Sequence, residues 1–184
     1  MWRDAIVWLA FGLWAPAAAS ATIEVLETTH DRGRYTVSFE VVLVADRDKV
    51  WQIMTDYEHL PRISKIILES RVLKQEDTHH QRVGLTLQGC ILIFCKTVKR
   101  VLDIEARPQT EILMTEDPAR SDFRYAVERW RMTAEGPGTR LNYSAELEPD
   151  FFIPPLIGPA VVKYFLRREI RITALAVEAL ANHE

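Results

Sequence analysis

The sequence predicts one α+β domain, and three features of the chain indicate this class. Residues 35–43 alternate between apolar and polar side chains, which is typical of a strand with one buried face. Strand-like segments dominate residues 69–148, whereas residues 160–181 contain no helix breaker and predict one long helix. Because strands and helices are segregated along the chain, we expect an antiparallel sheet with a helix lying across it.

Length and composition bound the function as well as the fold. The chain has 184 residues, of which 48% are hydrophobic and 27% charged, with a formal net charge of -3. This length suits a single domain that buries its own core. The composition excludes wholesale disorder and a basic protein that binds nucleic acid by neutralising phosphates. No zinc spacing or phosphate-binding glycine loop occurs, so we expect no metal, no cofactor and no nucleic-acid partner.

The N-terminus carries the one strongly apolar segment of the chain. Residues 5–15 would span only about 16 Å as a helix, roughly half of a bilayer's hydrocarbon thickness. Pro16 and the small residues ending in Ala19-Ser20-Ala21 follow, a pattern typical of a secretory signal peptide. We therefore predict a signal peptide at residues 1–21, a mature domain at 22–184, and a periplasmic or secreted bacterial protein. An uncleaved membrane anchor is the alternative.

Two strands and two short helices are predicted before the main run of strands. The strands are residues 22–29 and 35–43. Asp46 is placed to cap the first helix, which ends near Asp56, and Leu60 with the following proline begins the second. The apolar residues of these helices are Val50, Trp51 and Met54 in the first and Ile63, Ile66 and Ile67 in the second.

The residue pattern of 69–148 is typical of successive strands separated by polar turns. The expected strands are 71–75, 81–88, 90–107, 111–115, 123–133 and 141–147. The apolar parity of 90–107 changes near residues 94–96, which indicates a bulge or bend. On a continuous strand Cys90 and Cys95 would lie about 16 Å apart on opposite faces, too far for a disulfide. We therefore expect both to be buried free thiols.

Residues 160–181 predict a helix about 33 Å long, with Pro159 suited to its first turn. At about 100° per residue its apolar face comprises Val161, Phe165, Ile172, Ala176, Ala179 and Leu180. The stripe opposite comprises Lys163, Arg167, Arg171 and Glu178. Glu169 falls within the apolar face, where a lone carboxylate is costly unless it is paired. It is predicted to orient a ligand head group, to pair with an inward arginine such as Arg100 or Arg124, or to reach water if the helix overhangs the sheet.

Several motifs together resemble one family. They are Val50-Trp-Gln-Ile-Met-Thr-Asp-Tyr-Glu-His-Leu-Pro61, Phe123-Arg124 with Trp130, Gly138-Thr-Arg-Leu-Asn-Tyr143, and Glu148-Pro149 with Pro154-Pro155. Over residues 34–181 the chain resembles the START-like or SRPBCC proteins, also called polyketide cyclase/dehydrase. Within that family it resembles an exported bacterial branch, which is related to the coenzyme Q-binding START-like proteins. The resemblance implies a helix-grip fold, in which a curved antiparallel sheet wraps around a long C-terminal helix and leaves a cavity. Such proteins include lipid carriers, quinone-binding proteins, hormone receptors and cyclases.

If a cavity exists, aromatic and helix residues are the candidates to line it. The candidates are Trp51, Tyr57, Phe94, Phe123, Tyr125, Trp130, Tyr143, Phe152, Val161, Phe165, Glu169 and Ile172. The apolar loop at residues 151–156 is expensive to expose, which favours a lid, a tip that touches a membrane, or a loop tucked against the helix. His59 could contact a ligand from its bend, whereas His79 and His80 belong to a polar turn. No nucleophile elbow is present, and we assign no catalytic residue.

The leading interpretation is a non-enzymatic periplasmic carrier of a lipid or isoprenoid quinone, held between the sheet and the long helix. One alternative is a cyclase or aromatase, for which Glu169, Tyr143 and Tyr125 are the available acids or bases. Another is an envelope protein-interaction module that uses the basic stripe and the loop at residues 151–156. Fold alone does not decide among them.

Overall fold

The computed structural model describes residues 21–91, 93–153 and 158–183, which form an eight-stranded antiparallel sheet and two α-helices. The strands are β1 (Thr22–Asp31), β2 (Arg34–Leu43), β3 (Ile67–Gln75), β4 (His80–Ile91), β5 (Phe94–Arg107), β6 (Glu111–Glu116), β7 (Phe123–Glu135) and β8 (Gly138–Pro149). The helices are α1 (Arg47–Thr55) and α2 (Pro159–His183), with short 3-10 helices at Leu60–Arg62 and Pro118–Arg120.

The strand order explains how the sheet can surround a helix. Neighbouring strands run in the order β1-β2-β8-β7-β6-β5-β4-β3, and every pair is antiparallel. Strands β3 to β8 follow one another as adjacent pairs, whereas α1 and the first 3-10 helix cross from β2 to the far edge at β3. The sheet is curved and open, and α2 packs against its inner face. This arrangement confirms the predicted α+β helix-grip fold.

The connection between β2 and β3 matches the prediction in its first helix and differs in its second. Asp46 caps α1, because its Oδ1 accepts hydrogen bonds from the backbone N–H groups of Asp48 at 2.9 Å and Lys49 at 3.2 Å. The second helix is a single 3-10 turn, Leu60–Arg62, with Ile63 as its C-cap. The prediction that it extends to Ile67 was wrong, because the chain there already pairs with β4 at the start of β3.

Cys90 and Cys95 form a disulfide, so the expectation of two buried free thiols was wrong. The segment is not a continuous strand. It folds back as a tight hairpin in which Ile91 lies opposite Phe94 and Cys90 lies opposite Cys95. Directly opposed residues on antiparallel strands have neighbouring Cα atoms, and here the two Cα atoms are 4.0 Å apart. Both cysteines are exposed at the hairpin's tip.

The long helix is present, but it presents a different face to the core from the one predicted. Its buried residues are Ile170, Ala174, Val177 and Ala181, which recur at helical spacing. Ile172 and Ala179, assigned to the buried face, are exposed, so that assignment was wrong. Two hydrogen bonds set the rotation of the helix: the Val44 N–H donates to Glu178 Oε2 at 2.8 Å, and Asn182 Nδ2 donates to the Val44 carbonyl at 2.9 Å.

The predicted signal peptide lies outside the described residues, except for its last residue, Ala21. Strand β1 begins at Thr22, the residue with which we expect the mature chain to start. Signal cleavage itself stays a prediction. No helix within the described ranges has the length and apolar character needed to cross a membrane.

Candidate ligand-binding cavity

A cavity of about 290 Å³ lies between the inner face of the sheet and α2. Strand β2 contributes every second side chain to the lining, because alternate residues of a strand point to the same face. Helix α2 contributes the face that carries its buried residues. The apolar lining residues from these two elements are Val37, Phe39, Val41, Leu43, Leu166, Ile170, Ala174 and Val177. Further apolar residues from β3 to β8 and α1 complete a lining that is mostly hydrocarbon. Such a surface binds by removing apolar groups from water, at about 25 cal/mol per Å².

A buried ionic cluster is set into this apolar lining. Arg100 and Glu128 line the cavity, and Glu116 lies behind Arg100. Arg100 Nε and Nη2 donate to Glu116 Oε2 at 2.9 and 2.5 Å, while Arg100 Nη1 lies 2.6 Å from Glu128 Oε1. The three residues are at most 8% exposed. Isolated charges at such depth would be strongly unfavourable, so their mutual pairing is what makes the cluster possible.

Tyr143 extends the cluster toward the aromatic part of the cavity. Its phenol donates a hydrogen bond to Glu128 Oε2 at 2.6 Å. The Tyr143 ring stacks on Phe39 with centroids 4.7 Å apart and lies 4.5 Å from the Trp130 ring. These contacts hold the phenol in place beside the carboxylate, so one wall of the cavity combines an aromatic surface with polar oxygens.

The electrostatics follow from burial and from the surplus of carboxylates. Burial by itself would lower the pKa of Arg100, but Glu128 and Glu116 outweigh that effect and raise it above its ordinary value. Burial raises the pKa of the Tyr143 phenol well above its ordinary value, and the adjacent Glu128 carboxylate adds to this shift. Tyr143 is therefore a neutral hydrogen-bond donor at any physiological pH. With both glutamates ionised, the cluster carries one net negative charge.

Three of the residues predicted to line a cavity do so: Trp130, Tyr143 and Glu169. Glu169 is half-buried on α2 and faces the cavity. The predicted arginine partners make other pairs, Arg100 with Glu116 and Glu128, and Arg124 with the exposed Asp150. Whether these three residues bind a ligand stays a prediction.

The other residues predicted to line the cavity lie outside its lining. Phe94 is not counted among them, because its side chain falls outside the described residues. Trp51 of α1 packs against the core and Tyr57 lies in it, while Phe123 contacts Phe151 and the Arg100 guanidinium. Phe165 lies beside Gly89 of β4, Val161 is half-buried on α2, and Ile172 is exposed on α2. Tyr125 is exposed beneath Arg34, and Phe152 is 80% exposed. None of these eight described side chains belongs to the cavity lining.

The histidines of the turns have local partners. His59 Nδ1 lies 2.8 Å from Asp56 Oδ1, and His80 Nδ1 lies 2.8 Å from Asp77 Oδ2. Both histidines are exposed and neither lines the cavity. Among the described residues no cluster of three or more histidine, cysteine, aspartate or glutamate side chains is arranged to hold a metal ion.

The sequence reasoning missed the cluster as a unit, although a signal for it exists. Arg100 lies at the inward parity of β5, two residues from Val98 and Leu102. Glu116 follows Ile112 and Met114 at the inward parity of β6, and Glu128 lies between Ala126 and Trp130 on β7. Charged residues at inward positions of three neighbouring strands predict a buried ion cluster, because each alone would be too costly.

Comparisons with known proteins agree with this architecture. The family model described as polyketide cyclase / dehydrase and lipid transport matches residues 43–169. No curated protein matches the sequence.

Three solved structures share the fold at low sequence identity. A START superfamily protein from Mycobacterium smegmatis has a TM-score of 0.62 at 18% identity, covering 80% of this chain and 97% of that one. The Zhui aromatase/cyclase of a Streptomyces species has a TM-score of 0.65 at 15% identity, covering 82% and 94%. A STAR-related lipid transfer protein fragment from Xanthomonas axonopodis has a TM-score of 0.57 at 15% identity, covering 86% and 97%. With the cavity between sheet and helix and the matched family model, the chain belongs to the polyketide cyclase/dehydrase and lipid transport family of START-like proteins.

Proposed function

We propose that this protein is a carrier that holds a hydrophobic small molecule, a lipid or an isoprenoid quinone, between the sheet and α2. The observation that supports this function best is the cavity itself, whose lining is mostly apolar and includes one polar cluster. Apolar burial would supply the affinity, and the polar groups would orient the head of the ligand. The lipid transfer protein among the structural neighbours is consistent with this role.

A carrier accounts for the geometry better than a cyclase does. Of the three groups available for acid–base chemistry, Tyr125 lies outside the cavity lining. Tyr143 donates to Glu128 and has a raised pKa, so it is a poor proton donor near neutral pH. Of these three groups only Glu169 is then left to supply the chemistry, since the other carboxylate of the lining, Glu128, already pairs with Arg100 and Tyr143.

The carrier function is tested by identifying what co-purifies with the protein. Mass spectrometry of natively purified protein should show a lipid or quinone at close to one molecule per chain. Thr173→Phe, which places a ring in the cavity, should lose that ligand. Leu175→Phe is the matched control, because it adds the same ring two residues away at an exposed position of α2. Loss in both variants, or in neither, would contradict binding in this cavity.

The location of the carrier belongs to the same proposal. Export by the signal peptide at residues 1–21 would place the folded domain in the periplasm. N-terminal sequencing of protein recovered from the periplasmic fraction should then begin at Thr22. A chain that keeps residues 1–21 would instead support the membrane anchor.

Transient contact with a membrane would let a carrier load and unload its ligand. Phe152 supports this proposal, since a phenylalanine 80% exposed in a loop is costly in water and favourable in a lipid interface. Residues 154–156 of the predicted loop lie outside the described residues. Phe152→Ser should weaken sedimentation with phospholipid vesicles, and equal sedimentation would contradict the contact.

A further inference from the structure

The carrier function proposed above does not say which head group the cavity accepts, and the ionic cluster narrows the choice. We propose that the cavity binds amphiphiles whose head group donates hydrogen bonds and has no negative charge, and that it rejects carboxylates and phosphates. The inference rests on the proposed carrier function, and Arg100, Glu128 and Glu169 carry it.

Arg100 is the residue that would ordinarily receive an anionic head group, since guanidinium groups bind carboxylate and phosphate bidentately. In this protein the guanidinium nitrogens of Arg100 are already paired with carboxylates. Nε and Nη2 donate to Glu116 and Nη1 faces Glu128, all within 2.9 Å. The Phe123 ring covers the guanidinium at 4.9 Å from its Cζ. An incoming anion would have to displace a buried carboxylate in order to reach Arg100.

The charge balance opposes an anion further. Arg100 is the only cationic side chain in the cavity lining formed by the described residues. Against it stand Glu128 and Glu169 in the lining and Glu116 behind Arg100. Because Arg100, Glu116 and Glu128 are almost fully buried, an added negative charge is repelled more strongly there than at the surface.

The same carboxylates are suitable acceptors for a donor. Glu128 Oε1 is buried 2.6 Å from Arg100 Nη1, and a carboxylate oxygen with one such partner retains a lone pair that can accept from a second donor. Glu169 presents a second carboxylate to the cavity. A hydroxyl or ammonium head group can donate to these oxygens while its chain lies along the apolar wall. Of the ligands proposed above, a hydroquinone has such donors, whereas the oxidised quinone has only acceptors.

The size of the cavity selects the probes for a test. At about 30 Å³ for each water-sized group, a volume of about 290 Å³ holds roughly ten methylene-sized groups. A longer lipid or an isoprenoid quinone would extend out of this volume, so the probes are ten-carbon chains. Decan-1-ol, decylamine, decanoate and methyl decanoate share one chain length and differ in the head group. Calorimetric titration at pH 7 into the purified protein, after extraction of bound lipid, compares a neutral donor, a cationic donor, an anion and a neutral group without a donor.

We expect decan-1-ol and decylamine to bind at least tenfold more tightly than decanoate, and methyl decanoate to bind more weakly than decan-1-ol. Decanoate binding as tightly as decan-1-ol would overturn the head-group proposal and leave the carrier function standing. Equal binding of methyl decanoate and decan-1-ol would overturn the need for a donor. Binding of none of the four probes would overturn the carrier function itself.

A variant locates the selectivity within the cavity. Glu169→Gln removes one carboxylate from the lining and keeps the Arg100 pairs intact. It should raise the affinity for decanoate at least threefold relative to the affinity for decan-1-ol, because a repelling charge is removed whereas the amide oxygen of glutamine still accepts from a hydroxyl. Glu146→Gln, the same change at an exposed strand position paired with Arg34, should change neither. An unchanged ratio of the two affinities in Glu169→Gln would contradict the part assigned to this carboxylate.

Discussion

Two arginines of the sheet each form ion pairs with more than one carboxylate, but one cluster is buried and the other is exposed to solvent. Arg100 pairs with Glu116 and Glu128 on the inner face, beside the cavity and almost fully buried. Arg140, whose side chain is 24% exposed, pairs with Glu24, Glu40 and Glu135, whose side chains are about 40% exposed. The residue types are the same, so any difference in their contribution arises from solvent.

The comparison shows why counting ion pairs says little about stability. A surface pair gains little because water and salt screen it. A buried pair also gains little over a hydrophobic replacement, yet removing one partner leaves a charge that water does not reach. The Arg140 cluster should therefore tolerate substitution, whereas the Arg100 cluster should not. Four predictions sharpen this contrast.

The largest effect is expected for Arg100→Met, which leaves Glu116 and Glu128 facing each other without a cation. Breaking a buried pair from one side should lower the free energy of unfolding by about 3–5 kcal/mol. For a domain of this size that corresponds to a fall in Tm of roughly 10 °C. Urea denaturation measures it, and a loss below about 1 kcal/mol would show that the cluster is not desolvated as the structure indicates.

A smaller effect is expected for Tyr143→Phe, which deletes the hydroxyl that donates to Glu128 and keeps the ring stacked on Phe39. Leaving a buried carboxylate short of one donor should cost about 1–3 kcal/mol of unfolding free energy. Tyr164→Phe is the matched control, because Tyr164 is 76% exposed on α2. Equal stability of the two variants would mean that the Tyr143 bond makes no net contribution.

The outer cluster should respond weakly and in a salt-dependent way. Arg140→Gln should lower Tm by no more than about 2 °C at low ionic strength. This loss should shrink further in 1 M salt, where exposed charges are screened within about 3 Å. The loss of Tm in Arg100→Met should persist in 1 M salt. A Tm loss in Arg140→Gln as large as that of Arg100→Met would remove the distinction between the two faces.

The smallest effect concerns the titration of Glu135. The hydrogen bonds from Arg140 lower the pKa of Glu135 below its ordinary 4.5. A lowered pKa in the folded state means that the pair stabilises the fold above pH 4.5 and that this contribution disappears as pH falls through the folded pKa. NMR titration of the Glu135 carboxyl should show a pKa below 4.5 that rises toward 4.5 in Arg140→Gln. An unshifted Glu135 would contradict the pairing.

Several elements of the fold were predictable from local patterns. The alternation from Tyr35 to Leu43 predicted β2, Asp46 predicted the start of α1, and the unbroken run after Pro159 predicted α2 within about two residues. These signals are local because side-chain periodicity and capping depend on neighbours within one or two turns. The motif succession added the family, which the match over residues 43–169 confirms.

The errors share a different cause. The parity change near Phe94 was interpreted as a bulge or bend, but the cysteine spacing was judged on a continuous strand, which separates two residues that a hairpin places opposite each other. The apolar face of α2 was judged from helix residues alone, and the contacts of Glu178 and Asn182 with Val44 rotate that face away from its predicted direction. For the candidate site, Trp130, Tyr143 and Glu169 were placed in a cavity, but the pairing of Arg100 with two carboxylates from other strands was not foreseen.

The sequence by itself determined which segments are strands, which is the long helix, and that charged residues such as Arg100 occupy inward positions of the sheet. These properties follow from periods of 2 and 3.6 residues and need no knowledge of distant parts of the chain. Only the tertiary structure decided which face of α2 meets the sheet and where a strand turns back. It also decided that Arg100 pairs with Glu116 and Glu128 from neighbouring strands. Each of these outcomes depends on contacts between residues far apart in sequence. For a buried charge, the free energy of burial depends on the partners that such contacts bring to it.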